Sequence, residues 1–86
     1  MPEICRFFGI VITMNFDDHA PPHFHARYGE FRASIAISSL ALLKGNLPPR
    51  VLGFVFEWAA LHRAELIENW TAASSGGTLK RIRPLE

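Results

Sequence analysis

The chain has 86 residues, a formal net charge of +1, 49% hydrophobic and 12% aromatic residues, and one cysteine. A near-neutral total excludes a global basic field as the means of holding nucleic acid, so any such contact must be local. The lone Cys5 excludes an internal disulfide and a cysteine-based zinc cluster, and the apolar content excludes a disordered chain.

At this length one domain is expected, with a core that only just suffices. Seven Phe and two Trp should leave apolar surface for self-association or for a partner. The N-terminal stretch MPEICRFFGIVITMNF places Glu3 before Arg6, and its apolar run is short and partly alternating. It fits neither a signal peptide nor a membrane span, and a cytoplasmic setting without membrane contact is expected. From Ile4 to Phe16, β-branched and aromatic residues surround Gly9, which predicts two short strands or one strand bent at the glycine. Ile10, Ile12, Met14 and Phe16 then share one face, and Val11, Thr13 and Asn15 the other.

DDHAPP follows as turn chemistry, and Pro22 cannot donate to a ladder, so the next strand begins at His23. Two alternating runs between His23 and Ile37 flank Gly29-Glu30, a glycine-first pair that predicts a two-residue type II′ hairpin. Counting outward, Tyr28 meets Phe31, Ala26 meets Ala33 and Phe24 meets Ile35, an apolar set suited to a covered face. Arg27 then meets Arg32, His25 meets Ser34 and His23 meets Ala36, and all of these point the other way. A weaker run, LALLKGNL, turns at Gly45-Asn46 and ends at Pro48-Pro49, closing a sheet over 4–47.

Over residues 50–73 the period changes. Val51, Leu52, Val55, Ala59, Leu66 and Trp70 recur at helical spacing behind Pro49, predicting one long amphipathic helix. SSGG stops it, and residues 78–86 read as an extended basic tail or last edge strand. The fold class expected is α+β, a small antiparallel sheet with the helix packed on one face. Phe54, Trp58 and Leu61 form a second apolar stripe, expected either to dock a copy of the chain or a heterologous partner, or to join a broad core. Lys80, Arg81 and Arg83 make the tail a candidate contact for nucleic-acid backbone, with a solvated, frayed terminus as the plainer alternative.

The open face of this sheet is the candidate site. Like charges opposed across a ladder repel, so Arg27 and Arg32 need an offset, from Glu30, from Asp17 and Asp18, or from a bound phosphate that suits the guanidinium fork. His23, His25, Arg27 and Arg32 together have the residue types for metal-independent RNA cleavage: one imidazole as base, one as acid, and an arginine on the phosphate. His19, His23 and His25 with Asp17 or Asp18 could instead ligate a transition metal, although H-x-H alone is weak support and no cofactor is expected. The alternative ahead of that metal-dependent hydrolase is a non-enzymatic protein-interaction or regulatory module with structural histidines: His19 and His23 bond the backbone of the Pro-Pro turn and His25 packs at the sheet rim.

PEICRFFGIVI, DHAPPHFHARYGEF and FEWAALHRAELIENW together resemble the family known as domain of unknown function 4160, over nearly the whole chain. Its motif covers His19, Pro21, Pro22, His23, Phe24, His25, Ala26, Tyr28 and Gly29, and does not extend to Arg27. The resemblance implies a small prokaryotic protein encoded beside a short second protein of the domain of unknown function 2442 type. That arrangement is like a toxin–antitoxin pair, so the partner expected is the operon neighbour, and the resemblance implies no reaction.

Overall fold

The computed structural model describes residues 2–16 and 19–86. Among them are five strands and two helices. The strands are β1 (Glu3–Phe7), β2 (Ile10–Thr13), β3 (His23–Tyr28), β4 (Phe31–Ala36) and β5 (Leu42–Asn46). They form one antiparallel sheet in chain order, followed by α1 (Pro49–Leu61) and α2 (Arg63–Ser74). No helix among these residues is long and apolar enough to cross a membrane.

The two tight hairpins follow from their turn residues. Phe8 and Gly9 both have positive φ, 51° and 81°, which a two-residue reversal of type I′ demands. Gly29 has φ 57° while Glu30 is not in the left-handed region, so the β3–β4 turn matches the type II′ form expected from the glycine-first pair. The β3–β4 register is the one counted from the sequence, from Tyr28 opposite Phe31 to His23 opposite Ala36. β5 departs from expectation. Instead of turning at Gly45-Asn46, the chain runs through Gly45 at φ 79°, with the β4–β5 register slipping next to Leu43. A Cβ at position 45 would collide with the Arg32 carbonyl, so only glycine lets β5 pass that close.

Alternation sorts the side chains. Ile10, Ile12, Phe24, Ala26, Ala33 and Ile35 are buried on one face, and the helices close over it through Val51, Val55, Trp58, Ala59 and Leu66. Phe16, expected to continue the buried row of β2, is exposed beyond the strand end. Burying so many apolar side chains at roughly 25 cal/mol per Å² is the main stabilising term, and it leaves the opposite sheet face uncovered.

Two expectations about the helical half are corrected. The predicted single helix is two, broken at His62, whose φ of −120° and ψ of 25° are non-helical. Its ring nitrogen Nδ1 lies 2.7 Å from Glu65 Oε1, tying the break to the first turn of α2. Trp58 does not face a partner: it is fully buried, 5.6 Å from the Phe7 ring and 5.8 Å from Phe24. Seven residues are almost two turns, so Trp58 falls about 20° from Val51, within the arc of buried positions. Phe54 is half-buried against the exposed Phe8, 5.1 Å away, and Leu61 is 68% exposed.

The tail is not frayed. Asn69, the one buried polar side chain among the described residues, donates to the Lys80 carbonyl and accepts from its amide, at 2.8 and 2.9 Å. The Ile82 amide donates to the Ile4 carbonyl at 2.8 Å, and Trp58 Nε1 donates to the Arg83 carbonyl at 2.8 Å. Residues 80–83 therefore run beside β1 and close the helix side of the core, as Ile82, 4% exposed, requires.

Candidate functional site

The uncovered face carries a groove of about 420 Å³ whose lining includes Val11, Thr13, His25, Arg27, Arg32 and Ser34, with Glu3 at one end and Lys44 at the other. Register arranges these into two rows that cross the strands. One row is Arg6, Val11, Arg27, Arg32 and Asn46, and the next is Glu3, Thr13, His25, Ser34 and Lys44. The rows are two residues apart along β2 to β5, roughly 6–7 Å, and three apart on β1, where the register shifts between Glu3 and Cys5.

The first row concentrates positive charge. Arg27 stands directly opposite Arg32, and both are exposed. Among the described residues no carboxylate pairs with Arg27, Arg32 or Lys44. Asp17 and Asp18, one suggested offset for the arginines, lie outside the described residues, and Glu30 makes no ion pair with either arginine. Glu3 is already engaged: Arg6 holds one carboxylate oxygen at 2.7 Å and Arg81 the other at 3.1 Å. Those hydrogen bonds, Arg6's first and then Arg81's, keep the Glu3 carboxyl below the usual carboxylate range, and the same bond raises Arg6.

In the second row His25 is held at both ring nitrogens. Nδ1 lies 3.2 Å from Ser34 Oγ and Nε2 lies 3.4 Å from the Asn15 amide nitrogen. In the tautomer this implies, Nδ1–H donates to the serine and Nε2 accepts from the amide. Asn15 Oδ1 is then buried with no hydrogen-bond partner. Thr13 and Asn15 thus join the open face, as the alternation of β2 predicts.

His23 behaves differently. Its ring is 5.0 Å from that of His25, so the two are brought together as their spacing requires. Yet His23 does not line the groove. Its Nδ1 lies 2.8 Å from the Pro21 carbonyl, and its ring packs 5.3 Å from Trp70 of α2. At the first residue of β3 the ring meets the end of the helix layer, which the alternation rule alone places out of reach. His19 is exposed. Among the described residues no group of three His, Cys, Asp or Glu side chains gathers to hold a metal ion, and the Asp17 and Asp18 part of that expectation lies outside them.

Of the tail cations, none lines the groove: Arg81 is committed to Glu3, while Lys80 and Arg83 are anchored through their backbones. Lys44 was not legible as a site residue. Its strand reads weakly because Gly45 looks like a turn, and only the pairing of Lys44 with Ser34 brings the ammonium to the groove. Cys5 takes no part: it is buried in the core, and burial pushes its thiol up.

Comparison with known proteins gives a family match. The model of the family described as Domain of unknown function (DUF4160) matches residues 9–71, a span holding every groove residue named above except Glu3 and excluding the tail. No curated protein and no solved structure matches the chain.

Proposed function

We propose a function on the premise that the chain belongs to the DUF4160 family: the open sheet face binds the phosphate backbone of a nucleic acid. The protein does so as one half of a two-protein, toxin–antitoxin-like module. The observation that carries this reading is Arg27 opposite Arg32, with Lys44 at the groove's end and no carboxylate paired to any of the three among the described residues. Two guanidiniums opposed across a ladder cost stability, and a phosphate between their planar forks turns that cost into affinity.

Binding is favoured over cleavage. General acid–base work needs two imidazoles aimed at the substrate, whereas His25 is tied to Ser34 and Asn15 and His23 to Pro21. The arrangement of His25 suits a positioned hydrogen-bonding group beside the cations. For the partner protein, support comes from the helix edge, where exposed Phe8 stacks edge-on against Phe54.

The test is fluorescence anisotropy with labelled oligonucleotides across a salt series. Wild type should bind with an affinity that falls linearly in log–log salt, and an Arg27→Gln, Arg32→Gln variant should lose at least about tenfold while unfolding cooperatively. Binding that survives the double substitution with its salt slope intact refutes the assignment. Co-expression with the neighbouring gene, followed by copurification, tests the module half of the reading.

A further inference from the structure

The two rows of the groove differ in chemistry, and that difference bears on which nucleic acid would lie there. Resting on the phosphate-binding reading above, we infer that the ligand is a single strand. It would lie across the sheet with its backbone on the row of Arg27 and Arg32 and its base edges over Thr13, His25 and Ser34.

The dimensions argue for a single strand over a duplex. A groove of about 420 Å³ falls near the lower end of the ~300–1,000 Å³ range of sites that enclose small ligands. It can enclose nucleotide units one at a time but not a double helix. A duplex would rest on the groove's rims and reach few of its hydroxyls. Across five strands spaced about 4.8 Å apart, each row extends roughly 19 Å. That suits a short tract, about four nucleotides, at the lower end of what one small sheet-based module tracks.

The composition of the rows argues for the orientation. The guanidiniums of Arg27 and Arg32, on neighbouring strands, make one row a track for phosphates and can share one. The neighbouring row, roughly 6–7 Å away, offers the Thr13 hydroxyl, the His25 ring and the Ser34 hydroxyl. These are groups that donate to and accept from base edges. Apart from the His25 imidazole, neither row contains an aromatic ring; Tyr28 and Phe31 belong to the opposite face. Stacking, which makes most single-strand grooves indifferent to sequence, is therefore limited to that one imidazole, itself tied to Ser34 and Asn15, and preference comes mainly from hydrogen bonds. At one end Glu3 would repel a phosphate from the second row, and Arg6 and Arg81 hold it.

The experiment uses the full chain and fluorescence anisotropy. The probes are labelled RNA and DNA single strands of about eight nucleotides, the matching blunt duplexes, and unlabelled mononucleotide and inorganic phosphate as competitors. Single strands are expected to bind at least about tenfold tighter than duplexes at equal phosphate number. Arg27→Gln with Arg32→Gln should weaken every sequence alike and reduce the salt slope by about 0.7, the share of the one phosphate that the two arginines hold. Thr13→Val with Ser34→Ala should leave the slope alone and change the ranking among sequences.

Duplex binding as tight as single strand overturns this inference and leaves the phosphate-binding reading standing. Displacement of the strand by mononucleotide at equal concentration also overturns it, in favour of a small-molecule site. An absence of binding to every probe removes both. Because the strand-against-duplex comparison uses wild-type protein, a variant that fails to fold does not affect it.

Discussion

Replacing Arg27 by Gln should stabilise the protein while weakening its binding. The substitution keeps most of the aliphatic stem and removes one of two charges that face each other across β3 and β4. Two guanidiniums about 7 Å apart in water repel by roughly 332/(80 × 7), about 0.6 kcal/mol. That agrees with the ~0.2–1 kcal/mol of measured cross-strand pairs. We expect a gain of about 0.5 kcal/mol at low salt, read as a urea midpoint, with a melting temperature higher by about 2–4 °C. At about 1 M salt the Debye length shrinks to roughly 3 Å, and the gain should vanish. A variant that is less stable than wild type at low salt, or whose gain is untouched by salt, refutes the reasoning. Arg27 would then be supporting the sheet rather than charging the groove.

Trp58→Phe should cost about 2–3 kcal/mol, from the unfilled volume in the core and the Arg83 carbonyl left without its indole donor. Urea denaturation measures that loss, and hydrogen exchange at the Ile82 amide should accelerate as the tail loosens. Gly45→Ala should destabilise by more than about 1 kcal/mol, because the position combines positive φ with a collision at the Arg32 carbonyl; thermal melting decides it. Glu3 gives a pH effect. Its folded carboxyl titrates below the usual 4.5, so its contribution is present above the unfolded value and is lost as pH falls through the folded one. The Trp58 indole proton resonance, next to the tail that Arg81 ties to Glu3, should shift over that acidic range. In Glu3→Gln that titration should be absent.

The hairpin at Gly29 was the most legible part of the chain, because a two-residue turn fixes every pair outward from it and alternation fixes the face. His25, Arg27, Arg32 and Ser34 were placed correctly on that ground alone. Alternation said nothing about the strand's ends, so the packing of His23 on Trp70 was invisible. Gly45 hid β5, and with it Lys44, because a glycine that permits close strand approach looks the same in sequence as one that reverses the chain. The break at His62 has no Pro or Gly to announce it. Asn69 in mid-helix reads as a solvated residue until Lys80 returns to meet it. Trp58 was misassigned for a different reason, since counting its angle from Val51 already places it among the buried positions.

The open face is tested most directly by nuclear magnetic resonance titration of the isotopically labelled protein with a short single-stranded oligonucleotide. The account predicts that amide shifts concentrate at Val11, Thr13, His25, Arg27, Arg32, Ser34 and Lys44, with α1, α2 and residues 80–83 unmoved. Shifts centred on the helices or the tail, with the amides of β3 and β4 silent, would contradict it.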